Sequence, residues 1–206
     1  MLFNPDELSD IEQYKLMTGT IVPRPIALVT TCGAEGNNAA PFSLFNIAGT
    51  CPPMVMLSIG DQDDGSEKDT LRNVRANREF VVHIVVEDIA EPMNVCATNV
   101  PIDVDELVEA GFTCVPSVKV SPPRIAEAPV QMECRLLHVI DIGERHHVVI
   151  GEVVLFHYRD GIVNDRFHVD LERLKPIGRL SGPSYARICE TFTLQRKYLG
   201  SAIPRS

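Results

Sequence analysis

Two long runs rich in β-branched residues, separated by a three-residue turn, constrain this chain most. VQMECRLLHVIDIG runs into Gly143, and HHVVIGEVVLFHYRDG begins at His146. Val, Ile and aromatic side chains suit a pleated, half-buried surface. A turn at Gly143-Glu144-Arg145 is short enough to fold one run back on the other as an antiparallel hairpin. Upstream, the prolines of VPRPIALVTTC forbid helix, and its β-branched core predicts a strand from about Ile26 to Thr31. Ala39 to Ile47 reads as a further apolar strand, interrupted by Pro41, Ser43 and Asn46. Pro52-Pro53 leads into the strand MVMLSIG, and FVVHIVV is a buried strand.

Helical patterns are shorter and fewer. PDELSDIEQYKLMTG predicts a helix capped by Asp6 or Ser9 and closed by Gly19. A second helix follows an Asp69 or Thr70 cap, with Leu71 and Val74 on one face. Two short helices are expected between Asp88 and Ala110, stopped by Gly111. Pro116, Pro122, Pro123 and Pro129 then mark an irregular crossing. A short helix from Leu171, a Gly-Pro loop and a last apolar piece, ICETFTL, form the tail. Strands outnumber helices and do not alternate with them, which predicts a mainly β fold: an antiparallel barrel with helices at its rim. No repeat, low-complexity stretch or linker divides the chain, so residues 1–206 are expected to form one domain.

Hydrophobic residues make up 45% and charged residues 23%, the balance of a chain that buries a core. The net charge of −9 repels phosphate backbones, which argues against nucleic acid but allows a local basic pocket for one small phosphate. No apolar run reaches membrane-spanning length, and MLFNPDELSD lacks a secretory pattern, so a cytoplasmic protein away from membranes is expected. The 6 cysteines show no CxxC or Cys/His spacing, which predicts free thiols and no metal site.

Three segments hold polar residues that a plain barrel does not require. Thr30-Thr31 is followed by Ala40-Pro41-Phe42-Ser43-Leu44-Phe45-Asn46. The Ser43 hydroxyl and Asn46 carboxamide match the alternating acceptors and donors of a flavin edge, and equally suit strand-end turns. Ser66-Glu67-Lys68-Asp69-Thr70 opens a helix, where free N–H groups, the helix dipole, a hydroxyl and an ammonium suit one phosphate. A surface helix with a solvated lysine has the same pattern. Arg179-Leu180-Ser181-Gly182-Pro183-Ser184-Tyr185 is a tight turn able to fix Arg179 and Tyr185, or an ordinary loop. His146 and His147 are strand neighbours whose side chains diverge, so at most one faces a site. Such a histidine could contact a nicotinamide or relay a proton. His83, His138, His157 and His168 read as structural or surface residues. There is no GxGxxG, GxxxxGK[ST] or GxSxG.

The ordered set VPRPIALVTT (Val22 to Thr31), Asn38 to Asn46, Pro52-Pro53, Lys68-Asp69-Thr70 with Asn73, Glu79 to Val82, His146 with Gly151-Glu152-Val153, and Arg179-Leu180 with Gly182-Pro183 and Tyr185 spans most of the chain. Together these motifs resemble the flavin-reductase-like family of FMN-binding split barrels, which includes flavoredoxin. The resemblance implies a Greek-key split barrel and a homodimer with FMN near the subunit interface. By position, Thr30 and Thr31 would line the flavin strand, and Ser43, Leu44, Phe45 and Asn46 would flank the isoalloxazine. Lys68, Asp69 and Thr70 would hold the phosphate, with Arg24 a further candidate. Arg179 and Tyr185 would close the pocket, and His146, the candidate catalytic residue, would lie near the nicotinamide or acceptor. The implied activity is NAD(P)H-dependent flavin reduction, with NADH or NADPH as donor and an oxygenase or redox protein as acceptor. A flavoredoxin-like electron carrier and an FMN-binding module without turnover are the alternatives. His83 departs from the family's frequent Asn, Ser181 from a common Gly, and Cys51 from a frequent acidic residue.

Overall fold

The computed structural model describes residues 1–98 and 105–195. In chain order the elements are α1 (Asp10–Thr20), β1 (Ala27–Gly33), β2 (Gly36–Phe42), β3 (Phe45–Thr50), β4 (Pro53–Gly60), α2 (Asp69–Asn77), β5 (Glu79–Ile84), α3 (Ala90–Val95) and α4 (Glu106–Glu109). There follow β6 (Cys114–Val115), β7 (Arg124–Ile125), β8 (Val130–Ile142), β9 (His146–Tyr158), α5 (Leu171–Leu174), β10 (Ile177–Arg179) and β11 (Tyr185–Arg187). The main sheet has 7 strands in the order β2-β1-β5-β8-β9-β4-β3, antiparallel at every step. The β8–β9 hairpin forms its centre, as its length and composition predict. This is the mainly β split-barrel architecture.

The two faces of the sheet serve two cores, and β1 shows the alternation that separates them. Ala27 and Val29 pack with Phe42, Leu57, Phe80 and Val149, whereas Leu28 packs with Met93, Leu107 and Ile125. Leu71 and Val74 on one face of α2 join the first core, as their spacing predicts. Gly151 has a packing role there: a Cβ at this position would overlap the Phe80 ring.

Three local expectations are corrected. Helix α1 does not stop at Gly19; it runs to Thr20, because Ile21 N–H still reaches Met17 O at 3.0 Å. Its start follows expectation, with Ser9 and Glu12 forming a capping box. Ala39 to Ile47 is two strands rather than one, broken at Ser43-Leu44. Neither Asp69 nor Thr70 caps α2: Lys68 is the N-cap and makes no side-chain capping bond. The Asp69 carboxylate pairs with Arg72 instead, and Thr70 Oγ1 accepts from Asn38 Nδ2 at 3.0 Å. In the tail, ICETFTL forms no regular element. Residues 99–104, within the stretch expected to hold two helices, and the end of the chain from 196 lie outside the described residues.

Buried polar side chains tie down the proline-rich crossing by satisfying its backbone. His83, fully buried, contacts Leu28 O through Nδ1 at 2.9 Å and accepts from Ile125 N–H through Nε2 at 3.0 Å. Burial pushes its pKa down to about 4, so the ring is neutral at pH 7. Glu133, also fully buried, accepts from Val118 N–H at 2.8 Å and Lys119 N–H at 2.5 Å, and meets His157 Nε2 at 2.7 Å. Burial, the largest influence, would raise its pKa; the N–H donors and His157 together outweigh burial and hold it below the usual range.

Candidate functional site

A groove runs along β2, the strand at one end of the main sheet. It consists of two clefts that meet at Pro41 and Ala97, residues lining both. Proline is tolerated in β2 because an end strand does not need every N–H for pairing. The narrower cleft, about 120 Å³, is bordered by Asn38, Gln62, Lys68, Asp69, Thr70 and Glu106. The wider, about 340 Å³, is bordered by Tyr14, Arg24, Ser43, Arg179, Gly182 and Tyr185.

The narrow end suits an anion. Helix α2 starts there with no side-chain cap, so its first N–H groups and the positive end of its dipole are available. Lys68 is half-buried and makes no ion pair among the described residues. Two carboxylates border the same space. Asp69 is paired with Arg72, and burial raises the pKa of Glu106, which accepts from Ala39 N–H at 3.2 Å. Burial likewise pushes the Cys96 thiol there up to about 12, so it stays protonated.

The wide end is built by the Gly182-Pro183 turn. Gly182, at φ 57, turns the chain so that Arg179 and Tyr185 pair across β10–β11. The Arg179 guanidinium lies 4.6 Å from the centre of the Tyr185 ring, donates to its hydroxyl and reaches Gly182 O at 2.7 Å. Arg24 is 6% exposed and donates to Thr18 O at 2.5 Å, Ile21 O at 2.7 Å and Leu180 O at 2.9 Å. It thereby fastens the end of α1 to the turn. Its buried Nε has no partner among the described residues.

The groove gathers Arg24, Ser43, Lys68, Asp69, Thr70, Arg179 and Tyr185 from four separate stretches of sequence. Other candidates lie elsewhere. Thr30 is fully buried and donates to Pro123 O at 2.5 Å. Thr31 is fully buried and accepts from Asn73 Nδ2 at 3.1 Å and Asn38 Nδ2 at 3.4 Å. It touches the groove only through Asn38. Leu44 is exposed between β2 and β3. Phe45 and Asn46 border a separate apolar cleft of about 490 Å³ with Met54, Met132, Phe156 and Tyr158. His146 is exposed at the start of β9 and pairs with Gly60, two residues before Gln62 of the narrow cleft.

Gln62 and Glu106 were not singled out from the sequence. Gln62 precedes α2 in an acidic loop with no motif, and Glu106 reaches the groove only because α4 packs on β2. Asn38 carried a signal in retrospect, since it faces Thr31 across the β1–β2 pair. Among the described residues no cluster of His, Cys, Asp or Glu is placed to hold a metal ion, and no helix is long and apolar enough to cross a membrane.

Residues 18–171 match the model of the flavin reductase like domain. The chain belongs to the flavin reductase-like family. Relatives match along nearly the whole length. An uncharacterized protein of Halalkalibacterium halodurans is 42% identical over 202 residues, covering 95% of this chain and 96% of that one. The nitrilotriacetate monooxygenase component B of Bacillus cereus superposes with a TM-score of 0.91 at 38% identity, covering 94% of this chain and 98% of its own. The 2-nitrobenzoate 2-nitroreductase of Pseudomonas fluorescens gives 0.88 at 36% identity, covering 98% and 100%. This flavin reductase-like protein thus shares fold and length with a monooxygenase component and a nitroreductase.

Proposed function

We propose that this flavin reductase-like protein binds FMN along the β2 groove and acts as an NAD(P)H-dependent flavin reductase. The observation that carries this reading is the uncapped, lysine-bearing first turn of α2, which opens into a groove continuing to Ser43, Arg179 and Tyr185. The phosphate would accept from the free N–H groups near Lys68, Asp69 and Thr70 while the ammonium balances its charge. The Ser43 hydroxyl would meet the ring edge, and the paired Arg179 and Tyr185 would wall the far end. A bound flavin supplies hydride acceptance and onward electron transfer; the protein positions and tunes it. His146 is exposed at the start of β9, paired with Gly60 on the strand that leads to Gln62, and would meet a nicotinamide of NADH or NADPH approaching from that end. The printed name of the Bacillus cereus relative, a component of a monooxygenase, supports delivery of reduced flavin to a partner oxygenase.

The same proposal includes a cytoplasmic homodimer. The apolar cleft beside Phe45 and Asn46 is flanked by Ile47, 68% exposed, and by the stacked Phe156 and Tyr158. A patch of that kind suits a second copy of the chain. Phe45 and Asn46 would then act at the interface.

The test is anaerobic mixing of the FMN-loaded protein with NADH or NADPH while flavin absorbance is followed. Prompt bleaching by either supports the reductase. Bleaching only by a reduced donor protein supports a flavoredoxin-like carrier, and failure to bind any flavin overturns the reading.

A further inference from the structure

The loop from Asp61 to Lys68 carries Gln62 and Lys68 into the narrow cleft, yet its own sequence opposes an anion. It holds Asp61, Asp63, Asp64 and Glu67 against the single cation Lys68. Its internal bonds are local turns, with Gln62 N–H on Ser66 O at 2.8 Å and Gly65 N–H on Gln62 O at 3.0 Å. What anchors it to the sheet comes from the tip of the β8–β9 hairpin. Asp61 N–H bonds Arg145 O at 3.0 Å, and the Arg145 guanidinium donates to Gln62 O at 2.9 Å.

The third anchor is His147, which lies between two carboxylates. Its Nε2 is 3.1 Å from Asp61 Oδ1 in the loop, and its Nδ1 is 2.7 Å from Asp141 Oδ1 on β8. A carboxylate only accepts, so both contacts are hydrogen bonds only when both ring nitrogens carry protons. A neutral imidazole has one N–H, and the other nitrogen would set a lone pair against an oxygen. From α2, Arg75 meets Asp141 at 2.7 Å and Glu67 at 3.1 Å; its 3.4 Å approach to His147 Nδ1 sets donor against donor when the ring is protonated and opposes that state, at longer range than the 2.7 Å and 3.1 Å contacts of the ring with its two carboxylates. With a carboxylate oxygen on each ring nitrogen, the two short contacts are those of an imidazolium: two cations, His147 and Arg75, are offset by three carboxylates, Asp61, Asp141 and Glu67. Burial, the largest influence, would lower the pKa of this ring, but the bonds to Asp141 and Asp61 outweigh it and raise it.

We propose that protonated His147 is a positioning residue that clamps the 61–68 loop to the hairpin, so that proton loss from this ring loosens the phosphate end of the groove and weakens FMN binding. The inference rests on the reading of that groove as a flavin site. The sign is opposite to that of the ligand itself. A phosphate monoester gains charge as pH rises through about 6, which favours its binding. Release of the clamp acts the other way at higher pH.

Two measurements test this on the full-length protein: FMN titrations from about pH 6 to about pH 9, and hydrogen exchange of the 61–68 amides in the flavin-free protein, corrected for intrinsic rates. His147→Gln keeps one donor but cannot be protonated, and His147→Arg keeps a permanent cation with several donors. Comparing proteins at each pH cancels the ionisation of FMN. The parent should bind FMN roughly fivefold or more tighter than His147→Gln near pH 6, with the ratio falling towards one near pH 9. His147→Arg should hold the low-pH affinity across the range. Exchange in the loop should rise with pH in the parent alone. A parent-to-Gln ratio constant with pH, with unchanged loop exchange, would overturn the clamp. If no protein binds FMN, the flavin reading fails, and the pH dependence of loop exchange still decides whether His147 clamps the loop.

Discussion

Replacing Lys68 with alanine separates recognition of the phosphate from recognition of the ring. Lys68 is half-buried at the uncapped start of α2, with Asp69 beside it already engaged by Arg72. Two unit charges 4 Å apart interact by about 1 kcal/mol in water and about 4 kcal/mol at an effective dielectric of 20. A half-buried site lies between these limits, which agrees with roughly 1–3 kcal/mol for a charge-assisted hydrogen bond. Lys68→Ala should therefore weaken FMN binding by roughly five- to 150-fold. The first N–H groups of α2 remain in the variant, so binding should be reduced rather than abolished. Riboflavin, which lacks the phosphate, should bind both proteins alike. Added salt should shrink the FMN difference, because a cleft open to solvent is screened over about 10 Å at 0.1 M. Titrating both flavins into both proteins at two salt concentrations measures all of this. Equal weakening of FMN and riboflavin would refute the reasoning and make Lys68 a residue that shapes the pocket. No change in either would move the phosphate elsewhere, with Arg24 and its unpartnered Nε the next residue to test.

Three further outcomes are expected. The folded pKa of His83, about 4, lies below the ordinary 6.5, so the unfolded chain binds the extra proton between them. Stability should be fully present above about pH 6.5 and fall by about 3 kcal/mol as pH drops through that window, with urea unfolding of His83→Asn giving a flatter profile. Arg24→Lys cannot reach Thr18, Ile21 and Leu180 together; it should lose roughly 1–3 kcal/mol of stability in urea and bind flavin more weakly, and an unchanged melting curve would remove the fastening role. Ser43→Ala should weaken flavin binding without changing the sizing profile, whereas Phe156→Glu, on the face assigned to the proposed homodimer, should shift that profile towards monomer.

Much of the scaffold was legible before any coordinates. The β8–β9 hairpin follows from two β-branched runs and a short turn, and the inward face of α2 follows from Leu71 and Val74. The misplaced features were local contests that tertiary partners decided. Gly19 is a plausible helix stop, yet α1 continues for one more residue. Asp69 and Thr70 are good caps by type, yet Arg72 takes the one and Asn38 the other. The ordered motifs pointed to the polar residues of the proposed flavin site without separating those that face the groove from those that face inward. Thr30 and Ser43 look alike in a sequence; one hydroxyl is buried on Pro123 and the other borders a cleft.

By itself the sequence determined the class of fold, because alternation, proline placement and turn chemistry are local properties with a period that only strands satisfy. It also determined the absence of a Gly-rich nucleotide loop, which is a matter of spelling alone. The tertiary structure decided which polar residues meet. Lys68 and Ser43 share a groove because β2 lies at one end of the sheet, while Asn46 turns to a different cleft after the break at Ser43-Leu44. It also decided the roles of two adjacent histidines. Their side chains diverge, as strand geometry requires, but only the fold brings Asp61 and Asp141 to His147 and leaves His146 exposed. The physical reason is one of range: hydrophobic period and turn type act over a few residues, whereas a hydrogen bond between residues 61 and 147 exists only once the strands between them have paired.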